Sequence, residues 1–174
     1  TYIASGPVKP NLFTILLINK REFDKNFIRL GTGELSPQLF PQDMLADVFR
    51  ALPAKISSLN YLEARGLSEL RESLVQRLAS RGINVKPSNI LITSGSLQAL
   101  QLISVGMLKP GAQVYTETPT YLKSLQVFQS AGISFTGIAM DKSGLVPWKI
   151  GKVPNGSLLY TIPTYQNPTT LVMT

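Results

Sequence analysis

Apolar residues recur along this chain at two spacings, and stretches of the two kinds alternate. Leu67, Leu70, Leu74 and Leu78 return every three or four residues, with Gly66 ahead of them and Gly82 behind, which predicts a helix closed by a glycine. Gln42–Leu52 is amphipathic at the same period, and Pro41 suits a first helical position. After Pro119, Leu122, Leu125, Phe128 and Ala131 share one helical face. Residues 96–108 are apolar almost all round, the pattern of a buried helix. Between these lie short apolar runs that predict strands: Asn89–Thr93, Ala112–Thr116, Ile133–Ala139 and Ser157–Ile162, with a turn at Pro110-Gly111. Strands alternating with helices argue for an α/β domain with a largely parallel sheet. Residues 1–26 form a lead-in broken by Gly6-Pro7 and Lys9-Pro10, in which Leu12–Ile18 reads as a docked strand or a short helix. Phe27–Leu30 is extended and runs into the loop Gly31-Thr32-Gly33.

Composition narrows the chemistry. The 174 residues contain neither cysteine nor histidine. Disulfides, thiolate or imidazole metal ligands and Ser-His or Cys-His nucleophile pairs are therefore excluded, and a metal site is not expected. Any demanding reaction would have to come from a bound cofactor. The net charge of +7, from 17 basic against 10 acidic residues, is scattered, which fits a solvated basic surface better than a nucleic-acid footprint. Leu12–Ile18 is far shorter than the ~20 residues of a membrane span, and no signal-peptide pattern precedes it. A cytoplasmic protein without membrane contact is expected.

One segment carries candidate chemistry. Ile92-Thr93-Ser94-Gly95-Ser96-Leu97-Gln98-Ala99-Leu100 reads as a strand, a small-residue turn and the start of an apolar helix. A helix N-terminus leaves backbone N–H groups unpaired and carries a partial positive charge, so it suits a phosphate. Taken alone, this is more often an ordinary serine N-cap. Two further segments follow it, Thr118-Pro119-Thr120-Tyr121 and Pro163-Thr164-Tyr165-Gln166-Asn167-Pro168-Thr169. Alone, Tyr121 could be a core aromatic and Asn167-Pro168 a plain turn.

Together with Asn60-Tyr61 and Gly66-Leu67-Ser68-Glu69-Leu70-Arg71, these pieces resemble, in order and spacing, fold-type I pyridoxal-phosphate enzymes. The likeness is to class I/II aminotransferases of the aminoadipate/kynurenine-aminotransferase-like branch, and covers residues 27–174. It implies an α/β domain whose mostly parallel sheet is flanked by helices, with 27–58 in a small-domain or arm part and 59–174 in the large-domain part. It also implies pyridoxal 5'-phosphate as cofactor. Ser96 and the backbone at Gly95 and Leu97 would hold the phosphate. Tyr121 would stack on the pyridine ring, and Asn167 would donate to the ring 3-oxygen. Tyr61 would reach the phosphate of a neighbouring subunit in a homodimer, and Gly33 would approach the substrate carboxylate. Two positions depart from the family pattern. Leu97 stands where the branch often has Gln, and Thr170 where Asn-Pro-Thr is usually followed by Gly, which leaves the backbone freer.

The family's Schiff-base lysine lies beyond the Asn-Pro-Thr motif, and none of Lys86, Lys109, Lys123, Lys142, Lys149 or Lys152 sits in a matching motif. The expectation is the N-terminal half of the domain, its catalytic lysine beyond Thr174, unable to transaminate by itself. Thr1-Tyr2-Ile3-Ala4-Ser5 resembles the closing strand of a GntR-type winged helix, which makes 1–26 the end of that domain plus a linker. Phe27–Pro37 with Leu39-Phe40-Pro41 resembles the start of the aminotransferase-like domain of MocR-type transcriptional regulators. Such a regulator would bind DNA through its upstream winged helix and sense an amino acid or amine through aldimine formation. The alternatives are a free-standing aminotransferase passing an amino group to a 2-oxo acid, and a degenerate scaffold without cofactor.

Overall fold

A computed structural model describes residues 35–109 and 111–174. The expected lead-in, the winged-helix remnant and Gly33 lie outside the described residues. The chain divides into two compact units between Ala64 and Arg65. Arg65 falls in the second because its carbonyl accepts from Ile92 N at 3.1 Å and its guanidinium donates to Ser88 O at 2.7 Å.

In the first unit a 3-10 turn, Pro37–Leu39, precedes helix α1, Gln42–Ala51, and a kinked 3-10 stretch, Leu52–Leu59, follows. Pro41 is the N-cap of α1 and not its first helical residue, since its own carbonyl accepts from Leu45 N. The apolar stripe of α1, Met44, Leu45, Val48 and Phe49, is exposed.

The second unit holds α2 (Ser68–Ala79), α3 (Ser96–Gly106), β1 (Gln113–Thr118), α4 (Leu122–Ser130), β2 (Ser134–Asp141), β3 (Gly144–Leu145) and β4 (Leu158–Tyr160). The strands form one sheet in the order β3-β2-β1-β4. β1 pairs in parallel with β2 (Val114 opposite Phe135) and with β4 (Val114 opposite Leu158), and β2 turns back antiparallel onto β3. A largely parallel α/β sheet is therefore present, with an antiparallel hairpin at one edge that the two-residue β3 was too short to announce.

Alternation along β1 divides the core between the two sheet faces. Val114 packs with Phe128 and Ile133, joined by Leu100 and Leu108 of the α3 region, Phe135 and Tyr160. The Phe128 and Tyr160 rings meet edge to face at 5.7 Å, and Ser124 Oγ donates to Tyr160 Oη at 2.8 Å. On the opposite face Tyr115, Ile138 and Leu145 pack with Ile150 and Met173.

Two expectations change. Ile90 is extended, but Asn89–Thr93 joins no ladder among the described residues, and Ile92 N is taken by Arg65 O. Helix α3 is apolar nearly all round yet only one side meets the core, and Leu102 and Val105 are exposed. Gly66 matters for packing. Its φ is +88°, and a Cβ there would lie 2.6 Å from Ile92 Cβ. Arg71, 6% exposed, donates from Nε to Gly66 O at 3.2 Å and from its guanidinium to Pro87 O at 3.3 Å, so it ties the start of α2 to the turn before Ile90.

Candidate functional site

The first part of the site is the N-terminus of α3. Gly95 is its N-cap at φ +86° and ψ 172°, no side chain caps the helix, and no acidic residue lies in its first turn. An ideal Cβ at Gly95 would meet nothing within 4 Å, so the space in front of the helix is open. Thr93 Oγ1 donates to Gly95 O at 3.1 Å, and Gln98 Oε1 accepts from Ser94 N at 2.5 Å, which together fix the turn. The first-turn N–H groups at Ser96 and Leu97 have no intrahelical acceptor, and the helix dipole adds roughly half a positive charge. Ser96 is exposed and Leu97 half-buried. The loss of a glutamine side chain at Leu97 leaves this backbone contribution intact.

The second part follows β1. The peptide bond Thr118–Pro119 is cis, and Tyr121, half-buried, is the N-cap of α4, its carbonyl accepting from Ser124 N at 3.1 Å. Between them Thr120 Oγ1 is buried and has no hydrogen-bond partner. The third part follows β4, where Asn167 is exposed and its bond to Pro168 is cis. Thr170 adopts φ +63°, taking up the backbone conformation that glycine would supply, and Thr170 N donates to Gln166 O at 2.6 Å.

β1 and β4 are neighbouring parallel strands, so the loops carrying Tyr121 and Asn167 leave the same edge of the sheet, the carboxyl edge where open α/β sheets bind ligands. A buried polar cluster binds the two loops. Glu117, 1% exposed, accepts from Ile162 N at 2.9 Å, from Thr161 Oγ1 and from Gln166 Nε2 at 3.1 Å. Gln166, 2% exposed, also donates to Pro119 O at 2.8 Å and accepts from Thr169 N at 2.9 Å and Thr169 Oγ1 at 2.6 Å.

The structure thus brings together the Tyr121 and Asn167 loops, and α3, with Ser96 at its start, packs against α4 through Leu100 and Phe128. Tyr61 belongs to the other unit and is fully exposed. Sequence reasoning missed Glu117, Gln166 and Thr120. A lone carboxylate at the end of a strand, and a glutamine next to the Asn-Pro pair, were the available signals.

As a donor set these groups fit a phosphorylated, planar aromatic ligand. An uncapped helix start with a hydroxyl and no nearby acid suits the phosphate, an aromatic side chain suits a ring face, and an exposed amide suits an anionic ring oxygen. The unpartnered Thr120 hydroxyl leaves one further polar group to be satisfied. Among the described residues no cluster of acidic side chains could hold a metal ion, and no helix is long and apolar enough to cross a membrane.

The sequence profile of aminotransferase class I and II matches residues 25–155. The uncharacterized HTH-type transcriptional regulator YisV of Bacillus subtilis (strain 168) is 46% identical over 175 residues, a match taking in 99% of this chain and 36% of YisV. A second regulator of that strain, YdfD, also named as an uncharacterized HTH-type protein, is 41% identical with the same coverage. Among solved structures, an archaeal alanine:glyoxylate aminotransferase superposes with a TM-score of 0.78 at 31% identity, over 96% of this chain and 44% of that one. The chain spans about a third of the length of the curated relatives it matches.

Proposed function

Because this chain belongs to the aminotransferase class I and II family, a family of pyridoxal-phosphate-dependent proteins, we propose that it is part of the cofactor-binding domain of a MocR-type transcriptional regulator. The observation that carries the regulator reading is the likeness to HTH-type regulators along 99% of the chain. Binding to operator DNA would fall to a winged helix outside the described residues.

Pyridoxal phosphate, when bound, supplies an aldehyde that captures primary amines and a ring that withdraws electrons from the captured carbon. The chain's own residues bind and orient. Ser96 Oγ and the N–H groups at the start of α3 would hold the phosphate, and the Tyr121 ring would stack on the pyridine. The Asn167 amide would donate to the ring 3-oxygen. Gly33, outside the described residues, would approach the carboxylate of the amino compound, as the family resemblance implies. Tyr61, whose side chain is fully exposed, would extend to the phosphate held by a second copy in a homodimer. A ligand that binds one conformation of the domain better than another shifts the population, and a dimer conveys that shift to two DNA half-sites.

Operator binding by the full-length protein, measured with and without pyridoxal phosphate and across a panel of amino acids and amines, tests this reading. A cofactor-dependent change in affinity with at least one amine is expected. Operator affinity indifferent to both would refute it, and steady turnover of an amino acid and a 2-oxo acid by a parent that binds no DNA would establish an aminotransferase instead. The chain by itself is expected to show no transamination, and detectable turnover by it would refute that.

A further inference from the structure

We infer that Glu117 and Gln166 are positioning residues for the cofactor ring, acting through the loops that carry Tyr121 and Asn167; the inference rests on the proposed cofactor site. Neither side chain is exposed enough to touch a ligand itself, at 1% and 2%. Each reaches from one loop to the other. Glu117 leaves the end of β1 and holds Thr161 and Ile162 just after β4. Gln166 comes from the loop after β4 and holds Pro119, two residues before Tyr121. Their mutual bond of 3.1 Å closes the tie.

The pair is also what a free-standing turn would lack. Gln166 Oε1 accepts from both the N–H and the hydroxyl of Thr169, which fixes the Asn167-Pro168 segment between them. The non-glycine residues with positive φ among the described residues, Tyr165 at +50° and Thr170 at +63°, flank that segment. Backbone in that region is costly for residues with a Cβ and persists where surrounding contacts over-determine it. The Gln166 bonds are those contacts. Stacking and amide donation both depend on placement to within a fraction of an ångström, so groups that lock the loops act on ring binding without meeting the ring. The phosphate seat on α3 is built from a different segment and does not use this tie.

That separation gives the test. Gln166→Met keeps length and removes every side-chain hydrogen bond of the residue. Glu117→Gln keeps shape and sets one donor against another. In the full-length protein, pyridoxal phosphate affinity, the visible circular dichroism of the bound cofactor, and the affinity of inorganic phosphate as its competitor are read for each variant. The expected result is pyridoxal phosphate binding about tenfold weaker, an altered dichroism, and unchanged phosphate affinity. Unchanged cofactor affinity and dichroism would overturn the inference. So would a parallel loss of cofactor and phosphate affinity, or failure of both variants to fold, since each marks a general structural role. An unmodified protein that binds no pyridoxal phosphate would overturn the cofactor reading itself, and the inference with it.

Discussion

Thr170 and Ser96 show how single residues answer to different constraints. Thr170 is a β-branched residue at φ +63°, a conformation that presses its Cβ against the backbone. Replacing it by glycine, Thr170→Gly, should stabilise the protein by about 1 kcal/mol, seen as a higher denaturant midpoint with an unchanged slope. At Gly66 the sign reverses. The added methyl of Gly66→Ala would have to enter a space already filled by Ile92, at a positive φ. A loss of roughly 2–4 kcal/mol is expected in the same unfolding experiment. On the proposed reading Ser96 serves the cofactor and not packing, being exposed at an uncapped helix start. Ser96→Ala should weaken pyridoxal phosphate binding about tenfold in a calorimetric titration of the full-length protein, with little change in unfolding midpoint.

At the scale of elements, what could be read from the sequence depended on how local the cause was. The leucine spacing of α2, the face of α4 and the apolar cores of β1 and β2 are local patterns, and each element lies within a residue or two of its expected place. Leu70 and Leu122 fit their periods but are exposed, because period fixes a face and not what covers it. Ile90–Thr93 has a strand's composition, yet a strand is defined by a partner, and its Ile92 N–H goes to Arg65. The residues Ser96, Tyr121 and Asn167, proposed to hold the cofactor, were visible as ordered motifs. Glu117 and Gln166 were not, because their roles come from one another across 49 positions of chain. Packing also sets stability. Phe128, wholly buried between Val114 and Ile133, is the hub of one sheet face. Phe128→Ala should cost 3–5 kcal/mol, within the usual range of about 3–5 for such truncations. Amide exchange should follow burial as well, with α1 exchanging early and β1 last.

The whole molecule, on the proposed reading, shares its sites between two copies. Mixing subunits tests this. In a heterodimer of a Tyr61→Phe subunit with a Ser96→Ala subunit, one site regains both native residues and the other loses both. Titration should then find one tight pyridoxal phosphate site per dimer, whereas each homodimeric variant has none. Two equally weakened sites would show that Tyr61 serves its own subunit. The sheet order has a consequence of another kind, in time. β1 is central, and Val114 must meet Phe135 on one side and Leu158 on the other. The second closure spans about twice the chain of the first and costs about 0.6 kcal/mol more in loop entropy. Folding should therefore begin with the β1–α4–β2 crossover. The strand that aligns the Asn167 loop docks afterwards, so the loop pair proposed to bind the ring is completed only after the sheet has begun to form.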